Sequence, residues 1–168
     1  MQGINDMTGN EIQLLQAGLK AAKEQVELAI AGITEAEARQ QSAPDAWSVS
    51  QLLAHIAEII GFWMDKAVLI TEEKDPQISR SDVENDLRLA AVTDAAEESL
   101  EDLLQSVDIA CEEGVETIGE IDPADLDRPG HRETNLITAG GVIENLAKHV
   151  SAHAVQITEA RQQMARKS

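Results

Sequence analysis

"WSVSQLLAHIAEI", Trp47 to Ile59, marks both the start of a helix and its inner face. Ser48 is placed to act as N-cap, and Gln51 follows three residues later as its capping-box partner, so two otherwise unpaired backbone donors are satisfied reciprocally. From there Leu52, Ile56, Ile59, Trp63, Ala67 and Ile70 recur in steps of three or four, which draws one apolar stripe along a helix. His55 lies three residues after Leu52 and four before Ile59, so the spacing predicts an imidazole on that inward face.

Three further stripes can be read around this one. Ile12, Leu15, Leu19, Ala22, Val26, Ala29 and Ile33 predict a helix upstream, with Thr8 and Glu11 as its capping box. Leu100, Leu103, Leu104, Val107, Ala110, Cys111, Val115 and Ile118 predict a third helix, started by Asp94 and Glu97 and stopped before "IDPADLDRPG", residues 121–130. The fourth runs from about Thr138 to Met164 through Val142, Leu146, His149, His153, Ile157, Ala160 and Met164, with Arg161, Arg166 and Lys167 at its negative end. No segment alternates apolar and polar residues as a half-buried strand must, so no strand is predicted. The expected architecture is an all-α four-helix bundle. Its second and third helices are joined by the long polar connection "TEEKDPQISRSDVENDLRLAAVT", residues 71–93, with room for a helical turn around Val83 to Leu89.

Composition narrows the functional classes. A chain of 168 residues with 43% hydrophobic residues suffices for one domain, 1–168, with a sizeable core. The formal charge of −18 argues against nucleic acid and against an anionic membrane surface as the main partner. Cys111 is the single cysteine, which excludes an internal disulfide framework. There is neither a basic, apolar leader nor a run of about 18 uncharged apolar residues, so this acidic protein is expected in the cytoplasm.

The histidines carry the chemistry. His149 and His153 in "NLAKHVSAHAVQI", residues 145–157, stand where the fourth stripe calls for aliphatic residues, and His55 stands likewise on the second. Three of the four histidines are therefore expected to face the core. A His-x-x-x-His pair alone serves packing as readily as metal binding. An unpartnered buried imidazole is costly, however, and three converging on a shared divalent ion remove that cost while leaving coordination positions open to water, a thiol or a substrate. A di-iron carboxylate site would need Glu three residues before a ligand histidine, and Leu52 and Leu146 stand there instead.

At this point the sequence resembles the DinB/YfiT-like metalloenzyme family. A Trp-Ser pair, Trp47 and Ser48, opens the second helix, with His55 eight residues after the tryptophan, and "HVSAH", His149 to His153, matches the family's second motif on the fourth helix. The resemblance spans essentially the whole chain. It implies a four-helix bundle whose metal, nickel or zinc, is held by His55, His149 and His153. It also implies thiol-dependent S-transferase or isomerase chemistry, or hydrolysis, with a low-molecular-weight thiol as co-substrate and a small molecule as substrate.

Other residues invite plainer readings. Glu58, three residues after His55, and Glu144, near the start of the fourth helix, suit a solvated face, while either could accept from the free ring nitrogen of a ligand histidine. His131 and Arg132, in "DRPGHRETN", residues 127–135, fall in a predicted loop that could bring them to a substrate over the bundle mouth. Cys111 reads as a small buried hydrophobe and Trp47 as a packing residue. Two other functions fit the same features: a metal-binding or stress-response protein without catalysis, and a metal-free bundle serving as a dimerisation module. An apolar remainder on a helix face would favour a homodimer.

Overall fold

The computed structural model describes residues 4–166, the side chains of residues 4–9 excepted. Four long helices make the bundle: α1 (Ile4–Ile30), α3 (Val49–Glu72), α5 (Leu100–Glu120) and α6 (Ala139–Ala165). Two shorter ones lie in the connections, α2 (Glu35–Arg39) and α4 (Asp82–Asp94). A 3-10 turn, Pro123–Asp125, precedes a hairpin of β1 (Pro129–Arg132) and β2 (Asn135–Thr138). The long helices touch in the cyclic order α1, α6, α3, α5, so α1 and α3 stand on one diagonal and α5 and α6 on the other. The α1-to-α3 and α5-to-α6 connections therefore cross the bundle's end, while the longest connection joins the neighbours α3 and α5.

The stripes become the core. Leu19, Leu52, Ile56, Ile59, Ile70, Leu103 and Ile118 are fully buried, and Ile12, Val26, Val107 and Leu146 nearly so. Burial of this kind is the main driving force for bringing the helices together. The helices pack tightly at Gly114 on α5, where a Cβ would stand 3.0 Å from Leu19 Cδ2 and 3.3 Å from Ile60 Cγ2.

Helix starts follow their caps. Ser48 accepts from the Gln51 backbone N–H at 3.3 Å, and the Gln51 side chain accepts from the Ser48 N–H at 2.9 Å, as the sequence predicts. Thr138 caps α6 through the Gly141 N–H at 3.0 Å. Two expected starts move. The backbone is helical from Ile4, ahead of Thr8, whose side chain lies outside the described residues, so the Thr8 box does not begin α1. Asp94 closes α4, and Ser99 caps α5 instead, accepting from the Asp102 N–H at 3.1 Å. At the other end of α6, Arg161 donates to the carbonyls of Ala29 at 2.6 Å and Ala31 at 3.2 Å, so it neutralises the end of α1 and not its own helix. Lys167 lies outside the described residues.

The connections hold more structure than expected. The predicted turn near Val83 is a 13-residue helix, α4, with its own capping box at Ser81 and Glu84. Strands exist after all, four residues each. They are too short for alternation to show in the sequence, and they gain support from outside the hairpin. The His131 N–H donates to Pro76 O at 2.8 Å, and the Ile78 N–H donates to His131 O at 2.9 Å. Gly130 makes this docking possible, since a Cβ there would stand 2.7 Å from Ile70 Cγ1 on buried α3. Among the described residues no helix is long and apolar enough to cross a membrane.

Candidate functional site

α3 and α6 are direct neighbours, and that contact brings His55 together with His149 and His153. One ring nitrogen from each histidine lies within 4.8 Å of the others. The His149 and His153 rings stack with centroids 4.7 Å apart, and the His55 ring meets His153 edge-on at 4.9 Å. Trp47 closes the other side of His55, edge-on at 5.0 Å, so the residue before the cap also fixes the imidazole.

The inward orientation expected of all three holds for His55 alone. His55 is buried, His153 half-buried and His149 exposed. Positions 149 and 150, like 153 and 154, straddle the stripe of a 3.6-residue helix, and the aliphatic Val150 and Ala154 take the core while the imidazoles turn to the flank that faces α3. The triad thus reaches solvent through His149 and is not sealed within the core.

Its nitrogens are poised as lone-pair donors. His153 Nδ1 lies 3.0 Å from Gln156 Oε1, which as an acceptor fixes the proton on Nδ1 and leaves Nε2 bare. That Nε2 and His55 Nδ1 are buried without a hydrogen-bond partner. Burial, aided by the proximity of His149 and His55, pushes the His153 pKa down to about 4 in spite of the Gln156 contact. His149 is lowered too, by burial first and then by His55, Arg132 and Arg80. Lowered pKa values at His149 and His153 and unpartnered nitrogens at His55 and His153 suit ligands of a divalent cation.

Around them stands a polar frame. Glu58 Oε2 is 3.6 Å from His55 Nδ1, just past hydrogen-bond reach, and Arg80 grips both Glu58 oxygens at 2.6 and 2.9 Å. Burial raises the Glu58 pKa, but His55 and Arg80 outweigh it and leave the group below the usual carboxylate range. Glu58 is therefore a half-buried, ion-paired residue and not a solvated one. Arg80 also lies 3.8 Å over the Phe62 ring and donates to Glu84 O at 3.2 Å, while Lys66 pairs with the Glu84 carboxylate at 2.6 Å. These contacts tie the start of α4 to α3 beside the triad.

Beyond His149 opens a small pocket of about 80 Å³, walled by Trp63, Arg132, Ile137, Asn145 and His149 among others. Arg132 caps it with its guanidinium 5.0 Å from the Trp63 ring centroid. His131 belongs to β1 and not to a loop, and it is the backbone of this residue that anchors the hairpin. Glu144 is exposed and pairs only loosely with Lys148, at 3.5 Å. Cys111 is buried, and burial pushes its thiol pKa up, which suits a packing residue and not a nucleophile.

The profile of the DinB superfamily matches residues 19–157, most of the chain and all three histidines. The chain belongs to the DinB superfamily. Among solved structures, a DinB-like protein from Bacillus subtilis, YfiT, superposes with a TM-score of 0.75 at 17% identity, covering 98% of this chain and 92% of that one. YfiT is described as "a probable metal-dependent hydrolase with an unusual four-helix bundle topology". A protein from Streptococcus pneumoniae superposes with a TM-score of 0.66 at 16% identity, covering 92% and 90%. At these identities the likeness establishes the fold. No curated protein matches the sequence.

Within this DinB bundle, Arg80, Gln156, Trp63 and Asn145 are site residues that sequence reading passed over. Gln156 was within reach, since it follows His153 by three on the same helix. Arg80 gave no local signal: it lies 22 residues from Glu58, across the α3–α4 connection.

Proposed function

We propose that the protein is a metal-dependent DinB enzyme in which His55, His149 and His153 hold one divalent ion, nickel or zinc, and a small-molecule substrate enters from the solvent side, at His149. The observation that carries this reading is the convergence of three imidazoles, two of them with buried nitrogens that have no hydrogen-bond partner. Imidazole nitrogens sharing one such ion stand about 3.4 Å apart, and exposed His149 needs only a small turn to complete the set.

When bound, the ion supplies Lewis acidity that lowers the pKa of a water or a thiol brought to it. The chain's own residues do the rest. Gln156 orients His153, Trp47 and Glu58 frame His55, and Arg80 keeps Glu58 ionised beside the site. The favoured reaction is transfer or isomerisation with a low-molecular-weight thiol as co-substrate. Hydrolysis is the second reading, favoured by the description of YfiT.

Metal analysis of the untagged protein tests the centre. About one ion per chain is expected, with His149→Ala losing most of it; a content that His149→Ala leaves unchanged removes the clamp. A panel of thiols, assayed for transfer with electrophilic acceptors and for ester or amide hydrolysis without them, separates the two reactions.

A further inference from the structure

The Arg132 side chain is left without a hydrogen bond or ion pair among the described residues, although the chain carries 31 acidic residues against 13 lysines and arginines. The neighbouring cations differ: Arg80 is taken by Glu58 and Lys66 by Glu84. Arg132 instead lies over Trp63, at the mouth of the pocket that reaches His149. Stacking holds the guanidinium in place without neutralising it.

The backbone that carries this exposed side chain is well fixed. β1 is fastened on both sides of His131 to Pro76 and Ile78, and the Glu133 N–H donates to Ser79 Oγ at 3.2 Å. Glu133 itself takes a left-handed backbone, φ 57°, to close the turn. The same pocket is lined by exposed Asn145, whose side-chain amide is likewise without a hydrogen-bond partner among the described residues, and by Ile137, an apolar wall.

We propose that this pocket binds the carboxylate of a small molecule through Arg132 and Asn145, directing the rest of that molecule toward His149. One cation and one neutral amide match a singly charged, planar carboxylate better than a dianionic phosphate, and the guanidinium fork fits its two oxygens. The proposal rests on the metal-centre reading for what the far end of the ligand meets, but not for the carboxylate contact itself.

The test is calorimetric titration of the untagged full chain, metal-free and zinc-loaded, with four probes: 3-mercaptopropionate and its amide, and the thiol-free pair butanoate and butanamide. The acid is expected to bind about tenfold more tightly than its amide. Arg132→Gln is expected to bring that ratio close to one while leaving zinc stoichiometry unchanged, and Arg132→Lys to retain part of it. A preference confined to the thiol pair assigns the carboxylate to a thiol co-substrate, and a preference in both pairs assigns it to the substrate; either supports the pocket. A wild-type ratio near one, or a ratio that survives Arg132→Gln because the carboxylate binds elsewhere, overturns it. Absence of zinc uptake would count against the metal centre alone, since the metal-free titration still reads the Arg132 contact.

Discussion

At the scale of single residues, the site depends on which nitrogen of each imidazole is free. Gln156 settles this for His153 by engaging Nδ1, and removing it lets the ring turn and change tautomer. Gln156→Ala should therefore weaken metal binding about 10- to 100-fold, read by competition with a chromophoric chelator; an unchanged affinity would reduce Gln156 to a surface residue. The same histidine predicts a pH dependence. Its folded pKa, about 4, lies below the value of a free imidazole, so as pH falls the unfolded chain takes up the proton first. The metal-free protein should then be fully stabilised above the ordinary imidazole pKa and lose stability between about pH 6.5 and pH 4. His153→Gln should flatten urea denaturation midpoints across that window. The three histidines were legible because stripe periodicity flagged them, yet the orientation of His149 and His153 was not. A 3.6-residue period cannot choose between 149 and 150, and the aliphatic side chains at Val150 and Ala154 won the core because their burial carries no polar cost.

At the scale of elements, α4 is held against α3 by charge more than by apolar packing. It contributes a single buried residue, Val92, whereas Arg80, Glu84, Glu58 and Lys66 form a connected network at its start. Lys66, with the Ser81 cap, holds the Glu84 carboxyl down at about 2. Arg80→Ala leaves Glu58 half-buried without its partner, and should cost about 1–3 kcal/mol in urea denaturation; Glu58→Gln in the same chain should recover part of that loss. If the double variant is no more stable than the single one, the ion pair does not hold the element. The sequence displayed the four long helices because each buries a stripe over five or more turns. It hid α4's full length and the hairpin because both are fixed by partners distant in the chain: α4 by α3, and β1 by the backbone of Pro76 and Ile78.

At the scale of the whole molecule, the diagonal order of the helices decides what a metal can do for stability. His55 comes from α3 and the other two ligand candidates from α6, with the α5 helix and both of its connections between them in the chain. An ion bound by all three thus closes a loop of nearly a hundred residues, and the unfolded chain, which must form that loop unaided, binds it poorly. Binding to the native state alone adds RT ln(1 + [L]/Kd), about 2.7 kcal/mol at a hundredfold excess over Kd. For a domain of this length that corresponds to a rise of roughly 5–10 °C in Tm. Thermal melts with zinc or nickel against excess chelator should show that rise. His55→Ala and His149→Ala should each abolish it, although the first removes a buried ring packed on Trp47 and the second only an exposed one. The two variants should therefore differ in their metal-free Tm, His55→Ala being the lower, and agree in their insensitivity to metal. A metal-induced rise that persists in either would mean that the ion binds elsewhere on this acidic surface.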